Sequence, residues 1–210
     1  EGTGNAYTIT TSGTDATAAE LNAIDAATTQ NVDASSIETI TSSAVSAVKT
    51  LITNATAAGI DTDYTVTLSD ESIAATDITT VDTHTSGLVT VNATTITGDH
   101  ADITTAISSA GTAISGSIAV TSDNNMSSSE LAAMDILTTG TITATISDGG
   151  LDALASLTND HTNNALTIVV ADAAATAVEL NTLDDMTSLN VDASAVDAIE
   201  SSAVSAVKTL

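Results

Sequence analysis

Residues 17–51 of this 210-residue chain have the sequence TAAELNAIDAATTQNVDASSIETITSSAVSAVKTL, and residues 176–210 have the sequence TAVELNTLDDMTSLNVDASAVDAIESSAVSAVKTL. The two stretches align without a gap at an offset of 159 residues, and 23 of the 35 aligned positions are identical. Self-similarity at a fixed period is the signature of a repeat architecture, in which each unit packs against the next. This pair of stretches therefore predicts a repeat protein.

A shorter period lies inside the long one. Its motif is an acidic residue, an aliphatic residue, two spacers, a second apolar residue and an aspartate, and it occurs four times at spacings of 57, 53 and 49 residues. The copies are Glu20-Leu21-x-x-Ile24-Asp25, Asp77-Ile78-x-x-Val81-Asp82, Glu130-Leu131-x-x-Met134-Asp135 and Glu179-Leu180-x-x-Leu183-Asp184. We expect the first two positions to be structural columns. The whole chain, 1–210, is then one continuous array with repeats at about 7–63, 64–116, 117–165 and a truncated 166–210.

Each repeat divides into two halves, and each half contains a strand-like alternation followed by a helix-like spacing of apolar residues. β-Branched residues that alternate with threonine are typical of a strand with one buried face. The predicted strands are 7–10, 64–67, 117–120 and 166–169 in the first halves, and 32–35, 91–94, 142–145 and 191–194 in the second halves.

The predicted helices follow these strands. Three of the four first halves carry a capping box, and the fourth has Ala74 at the capping position. The capping boxes are Thr17-x-x-Glu20, Ser127-x-x-Glu130 and Thr176-x-x-Glu179. The second-half helices are marked by Val45, Val48 and Leu51, by Ile103, Ala106 and Ile107, by Leu151, Leu154 and Leu157, and by Val204, Val207 and Leu210.

A half-repeat with one short strand and one short helix cannot bury its apolar face alone, so neighbouring halves must stack. We therefore predict a parallel β-solenoid of about eight coils, each with a β-strand and a short α-helix. Tandem immunoglobulin-like sandwiches are the competing fold, but they would need about seven strands per unit and more aromatic residues. The aromatic content here is 1%, so the core must consist of Ile, Val, Leu and Ala.

Charge narrows the choice of partners. Two basic residues, Lys49 and Lys208, stand against 27 acidic ones, which gives a formal net charge of -25. This balance leaves no basic surface for phosphates, which argues against nucleic acid and anionic membranes as partners. No apolar run is long enough for a membrane span, so we predict none.

The aspartate that ends each motif recurs four times, at Asp25, Asp82, Asp135 and Asp184. Each is followed by Thr at the third position and by Thr or Ser at the fourth. The favoured interpretation is that the carboxylate accepts hydrogen bonds that shape the following turn. The alternative is that these four aspartates are weak Ca²⁺ ligands. No other cofactor is predicted.

No catalytic residues are predicted. His84, His100 and His161 each lie near an aspartate, but they fall in different repeat columns, which favours solvated loop residues. A polysaccharide lyase on a parallel β-helix would need clustered Arg or Lys in a groove, and the chain has no Arg. We therefore expect a protein that is not an enzyme.

Residues 20–40, ELNAIDAATTQNVDASSIETI, and residues 130–146, ELAAMDILTTGTITATI, resemble the degenerate repeats of giant secreted or cell-surface proteins of bacteria, notably marine cyanobacteria. The resemblance covers nearly the whole chain as a repeat style, in which a glycine stands where this chain has Gln30 and Leu189. It implies an extracellular or cell-surface location and a structural segment of a filament, fibre or coat.

Self-association with neighbouring repeats or copies is the partner that this hypothesis predicts. The alternative hypothesis is an adhesin-like module that binds carbohydrate, a surface or a partner protein through one face of the solenoid.

Overall fold

The computed structural model describes residues 5–148, 150–155, 157, 164–201 and 203–207. Within them, the chain forms a succession of short helices and short strands. The helices are α1 (Ala18–Ala26), α2 (Val45–Thr53), α3 (Ala55–Ala58), α4 (Ala75–His84), α5 (His100–Ser108), α6 (Ser128–Leu137), α7 (Leu151–Leu154), α8 (Ala177–Asp184) and α9 (Val204–Val207). The strands are β1 (Asp15–Ala16), β2 (Thr39–Ser43), β3 (Thr65–Leu68), β4 (Ser72–Ala74), β5 (Val89–Val91), β6 (Thr95–Gly98), β7 (Thr112–Ile114), β8 (Ala119–Met126), β9 (Ile142–Ile146), β10 (Ala165–Val169), β11 (Ala174–Ala175), β12 (Val191–Asp192) and β13 (Ala198–Ile199).

The chain forms two compact units. The first comprises Glu1–Thr95 with Thr105–Ser115, and the second comprises Ile96–Thr104 with Gly116–Leu210. In the first unit the strand order is β1-β2-β3-β5-β7. In the second unit one sheet has the order β12-β10-β9-β8-β6, and β11 pairs with β13 in another.

The sheets are built from parallel pairs whose partners lie one half-repeat apart. In the first unit Ile40 pairs with Val66, and Val66 pairs with Val89. In the second unit Val120 pairs with Ile142, and Ile168 pairs with Val191. The predicted parallel α/β arrangement is therefore confirmed, in three sheets.

Strand β9 illustrates how the sequence alternation produces a buried face. Ile142, Ala144 and Ile146 are buried, whereas Thr143 and Thr145 are half-buried. Successive side chains of a strand point to opposite faces, so the aliphatic residues pack inward and the threonines point outward. The core therefore consists mainly of aliphatic side chains.

Several predicted strands needed correction. Residues 7–10 and 32–35 are not strands, and the two segments instead meet in one isolated bridge, between Thr10 and Asp33. Residues 117–120 form β8 only from Ala119 onward, and the buried residues are Ile118 and Val120. The true counterpart of Tyr64 in the third repeat is therefore Ile118, one residue later than the sequence alignment placed it.

The helices follow the predictions more closely. Val45, Val48 and Leu51 are all buried on α2, and Ile103 and Ala106 are buried on α5. Leu154 is buried at the end of α7, whereas Leu157 is buried after the helix has ended. Val204 and Val207 lie on α9 but are exposed. Leu210 lies outside the described residues.

Candidate functional site: recurring polar columns

The threonine at the third position after each motif aspartate makes the same pair of hydrogen bonds in all four repeats. Its hydroxyl donates to a main-chain carbonyl 20 or 21 residues earlier and accepts from the main-chain N–H two residues later. The donor–acceptor pairs are Thr28 to Tyr7 O, Thr85 to Tyr64 O, Thr138 to Ile118 O and Thr187 to Leu166 O. The accepted N–H groups are those of Gln30, Gly87, Gly140 and Leu189, at 2.9–3.1 Å. We call these four residues the threonine column.

The residue that follows extends the contact between neighbouring half-repeats. The N–H groups of Thr29, Ser86 and Thr139 donate to the carbonyls of Asn5, Thr62 and Gly116, at 2.7–2.8 Å. The sequence pattern Asp-x-x-Thr-Thr/Ser thus encodes a main-chain connection to the preceding half-repeat. The recurring hydroxyls are visible in the sequence, but their partners are not, because the partners are carbonyl groups, which every residue carries.

Two glycines sit against this connection. A Cβ atom at Gly87 would lie 2.2 Å from the carbonyl oxygen of Tyr64, and one at Gly140 would lie 2.2 Å from that of Ile118. Both positions therefore require glycine because of a close main-chain approach. The corresponding residues Gln30 and Leu189 are exposed.

A second column caps helix N-termini across half-repeats. The first N–H of a helix donates to a side-chain oxygen 20 to 25 residues further along the chain. The pairs are Ala18 with Ser43, Val45 with Asp70, His100 with Asn124, Ser128 with Asp148, and Leu151 with Asp172. A side-chain oxygen there satisfies an N–H that lacks an intrahelical partner, and a carboxylate also complements the helix dipole. This column was not predicted, although a polar residue about one half-repeat after each of these five helix starts is a signal in the sequence.

Two of the four motif aspartates hydrogen-bond to residues further along the chain. Asp82 accepts from the hydroxyl of Ser109 at 2.7 Å, and Asp135 accepts from the side-chain amide of Asn164 at 3.2 Å. The main-chain carbonyls of Asp25 and Asp184 accept from the N–H of the column threonine, at 3.3 Å in both cases. Ser109 and Asn164 lie 27 and 29 residues beyond these aspartates, so the two carboxylates contact later segments of the chain, and turn shaping by the carboxylates stays a prediction. Among the residues that the structure describes, no three acidic or histidine side chains are placed to hold a metal ion.

The acidic residue that opens each motif serves the helix start. Glu20, Glu130 and Glu179 each complete a capping box with Thr17, Ser127 or Thr176. The main-chain N–H of the capping residue, followed by its hydroxyl, holds the pKa of each glutamate below its ordinary value. Asp77 lacks a capping partner at Ala74 and instead pairs with Lys49.

The aliphatic residue beside each of these acids is buried. Leu21 is 2% exposed, Ile78 and Leu131 are fully buried, and Leu180 is 7% exposed. The motif therefore combines one helix cap with one core contact.

Asp33 and Asp192, at equivalent positions of the long repeat, each form a local turn. The hydroxyl of Ser35, followed by its N–H, donates to Asp33 and lowers the pKa of that carboxyl. Ser194 lowers the pKa of Asp192 in the same way, with its N–H at 3.0 Å. These acids are therefore local turn formers on the surface.

The expectation of solvated loop histidines was wrong for His84 and His100. His84 ends α4, and its Nδ1 lies 3.0 Å from the phenol oxygen of Tyr64. Burial raises the pKa of Tyr64 to about 12. His100 begins α5, with Nε2 2.9 Å from Glu130 and Nδ1 3.2 Å from the Asn124 side-chain oxygen. His161 lies outside the described residues.

A cavity of about 150 Å³ lies beside α7 and α8. Its lining residues include Leu151, Leu154, Val178, Leu183 and Met186, which are all apolar. Glu179 also borders this cavity, but its carboxylate is held in a capping box. The lining offers packing surface for an aliphatic group.

Comparison of the chain with protein-family models, with curated proteins and with solved structures found no match. In the described part of the chain, the helices are all too short or too polar to cross a membrane. The recurring polar columns are therefore the feature on which a functional proposal can rest.

Proposed function

We propose that the chain is a non-enzymatic structural segment of a large extracellular repeat protein that forms a filament, fibre or cell-surface coat. In this proposal the two halves of each repeat are coils of one β-solenoid, about eight in number. The resemblance of residues 20–40 and 130–146 to the repeats of giant bacterial surface proteins belongs to the same proposal.

The observation that carries the proposal is the threonine column. The same hydroxyl joins neighbouring half-repeats at all four motif copies, so the recurring polar chemistry serves coil-to-coil cohesion. The capping column adds the same kind of connection at five helix starts. A chain selected for catalysis would concentrate distinctive polar groups at one place, whereas here they are distributed evenly along the sequence.

The acidic surface suggests how such a segment responds to its surroundings. A net charge of -25 favours weak, nonspecific association with Ca²⁺ and other cations, which are abundant outside cells. In this proposal Asp25, Asp82, Asp135 and Asp184 contribute charge to that association but do not form a defined calcium site.

Antibodies raised against the recombinant 210-residue chain would test the proposal. Immunogold labelling of intact source cells should give dense, continuous label on extracellular fibres or on a surface layer. Label confined to the cell interior would overturn the proposal.

The second candidate is an adhesin-like module that binds carbohydrate, and the outward threonines favour it. Thr67 faces Thr90 on neighbouring strands, Thr121 faces Thr143, and Thr145 faces Thr167. These pairs are uncharged, and each brings two half-buried threonines side by side on neighbouring strands. Binding to a panel of immobilised polysaccharides, lost on replacing Thr143 and Thr145 with Lys, would favour this candidate. Absence of binding to every polysaccharide in the panel would count against it.

A further inference from the structure

One of the five helix starts in the capping column carries a side chain that can change its charge. His100 begins α5, and its side chain is 19% exposed. The first residues of the other four helices are Ala18, Val45, Ser128 and Leu151, none of which titrates. Histidine is the residue that ordinarily gains or loses its charge between about pH 5 and 8.

Both nitrogens of the His100 ring face oxygen atoms of the next half-repeats, within the second compact unit. Nε2 lies 2.9 Å from Oε1 of Glu130 on α6, and Nδ1 lies 3.2 Å from Oδ1 of Asn124 on β8. A neutral imidazole ring carries one N–H, and a charged ring carries two. A neutral ring can therefore donate to only one of these oxygens, whereas the charged ring can donate to both.

The orientation of the Asn124 amide is fixed by its other partners. Its Oδ1 accepts from the main-chain N–H of His100 at 3.1 Å, and a main-chain N–H can only donate. Its Nδ2 donates to Oδ2 of Asp99 at 2.8 Å, and an ionised carboxylate can only accept. Reversing the amide would break both hydrogen bonds. The atom that faces Nδ1 is therefore an acceptor.

Glu130 stays ionised where histidine titrates. Its other oxygen, Oε2, accepts from the main-chain N–H of Ser127 at 2.7 Å and from the Ser127 hydroxyl at 2.9 Å. These two contacts, and to a lesser extent the His100 ring, hold the pKa of Glu130 below its ordinary value of 4.5. The ring therefore faces a negative charge throughout the pH range in which histidine changes its own charge.

The other charged groups around the ring are also acidic. Oδ1 of Asp99, the residue before α5, lies 3.8 Å from Nδ1 of the ring. The remaining charged residues of α5, β8 and α6 are Asp102, Asp123 and Asp135. Both lysines of the chain, Lys49 and Lys208, fall outside these three elements. Negative neighbours favour the charged form of a histidine ring.

We propose that protonation of His100 fastens the start of α5 to β8 and α6, so that this connection between half-repeats strengthens as the pH falls from about 8 to about 5. The charged ring gains a second hydrogen bond, and its bond to Glu130 becomes charge-assisted. The unfolded chain lacks these partners, so the gain is present at acidic pH and is lost as the pH rises. Below 4.5, protonation of Glu130 weakens the contact again. This inference is independent of the proposed extracellular function.

Urea denaturation of wild type and His100→Gln, at about pH 8 and about pH 5.5, tests the proposal. Glutamine keeps one uncharged donor and one acceptor. The midpoint of wild type should exceed that of His100→Gln by more at the lower pH. Circular dichroism before denaturation establishes that each variant is folded. A difference that is the same at both pH values overturns the proposal.

His84→Gln is the matched control for the loss of a histidine. Nδ1 of His84 lies 3.0 Å from the phenol oxygen of Tyr64, and a phenol can donate to a neutral ring. Protonation of His84 would remove that acceptor, so the midpoint difference between wild type and His84→Gln should stay constant or shrink as the pH falls. An increase equal to that of His100→Gln overturns the proposal, because the effect would then not depend on the partners of His100.

A second variant separates this contact from the general relief of repulsion among the acids. Glu130→Gln removes the charge that faces Nε2 but keeps an acceptor in the capping box. In the Glu130→Gln background, adding His100→Gln should change the midpoint by amounts that differ less between the two pH values than in the wild-type background. An undiminished pH dependence in that background overturns the role of the carboxylate.

Nuclear magnetic resonance of the unmodified chain tests the geometry without any substitution. At about pH 5.5, both ring N–H groups of His100 should give signals in a proton–nitrogen spectrum, because hydrogen-bonded protons exchange slowly with water. Raising the pH to about 8 should remove one of the two signals. A ring that shows at most one N–H signal at both pH values overturns the two-donor contact.

Discussion

Thr138 uses one hydroxyl group to satisfy two main-chain groups that are 22 residues apart in sequence. It donates to the carbonyl of Ile118 and accepts from the N–H of Gly140, and its side chain is 1% exposed. Buried main-chain groups must find partners, and a hydroxyl can donate to one group while it accepts from another. The threonine column is thus a cohesive element as well as a turn former.

Replacing Thr138 with Val keeps the shape of the side chain but removes the hydroxyl. We expect Thr138→Val to lower the free energy of unfolding by about 1–3 kcal/mol, because a buried carbonyl and a neighbouring N–H lose their partner. Thr138→Ser, which retains the hydroxyl, should lose less. Urea denaturation followed by circular dichroism measures both variants, and equal losses would contradict the role of the hydroxyl.

A substitution at Gly140 tests how closely the main chain approaches the carbonyl group of Ile118. Because an added Cβ would lie 2.2 Å from the carbonyl oxygen of Ile118, Gly140→Ala should destabilise the fold by about 1–3 kcal/mol or more. A Cβ at Gly116 would meet nothing within 4 Å, so Gly116→Ala is the control and should be neutral or slightly stabilising. Thermal unfolding that shifts equally in the two variants would be evidence against the close approach.

At the level of helices and strands, the capping boxes were predictable from sequence because both partners lie within four residues of each other. All three are present, and Ala74 lacks a cap as expected. The capping residues supplied by the next half-repeat, such as Asp70 and Asp148, are harder to recognise, because their partners are main-chain N–H groups 25 and 20 residues away. The predicted strand register in the third repeat was wrong by one residue. Ser117, Ile118 and Ala119 do not alternate clearly between polar and apolar residues, so the sequence alone does not show which of them face the core.

A substitution at Thr17 measures how much the first capping box contributes to the stability of the fold. Thr17→Ala removes the hydroxyl that accepts from the N–H of Glu20 at 3.2 Å, and it should cost about 0.5–2 kcal/mol of stability. The reciprocal change, Ala74→Ser, should be stabilising or neutral, because Ala74 already has the extended backbone of a capping residue. Chemical denaturation measures both changes, and an unchanged midpoint for Thr17→Ala would contradict the prediction.

The same boxes predict a pH dependence of stability. The pKa values of Glu20, Glu130 and Glu179 are lowered in the folded chain, so their contribution is complete above the ordinary value of 4.5 and is lost as the pH falls below it. Relief of repulsion among the acids acts in the opposite direction, so the comparison must be made with a variant. Glu20→Gln/Glu130→Gln/Glu179→Gln keeps side-chain acceptors but removes their titration.

The difference in unfolding free energy between wild type and this triple variant should therefore be largest near neutral pH and should shrink as the pH falls below 4.5. Urea denaturation at a series of pH values measures it. A difference that stays constant down to acidic pH would show that the glutamate charges do not stabilise the fold.

At the scale of the whole chain, the dominant property is the charge. With 27 acidic residues against two lysines, the folded chain concentrates negative charge and gains from screening. The repeat itself was evident from sequence, since 23 of 35 residues recur at one offset. The exposure of individual residues was not evident from sequence. Val45 and Val204 are the same residue type at equivalent positions of the long repeat, yet Val45 is buried and Val204 is exposed.

Screening predicts that added salt raises the melting temperature. Calcium and magnesium chloride should have equal effects at equal ionic strength, because the association that we propose is nonspecific. Differential scanning calorimetry in the two salts measures this. A rise that is specific to Ca²⁺, at concentrations too low to change the ionic strength, would instead indicate a defined calcium site.

Parallel pairing between successive half-repeats is the basis of the proposed solenoid. Nuclear magnetic resonance couplings through hydrogen bonds report that pairing directly in labelled protein. We predict couplings from the N–H of Val66 to the carbonyl of Leu88 and from the N–H of Val120 to the carbonyl of Thr141, whose N–O distances are 3.0 and 2.9 Å. Couplings that instead join these amides to an antiparallel neighbour within the same half-repeat would contradict the account.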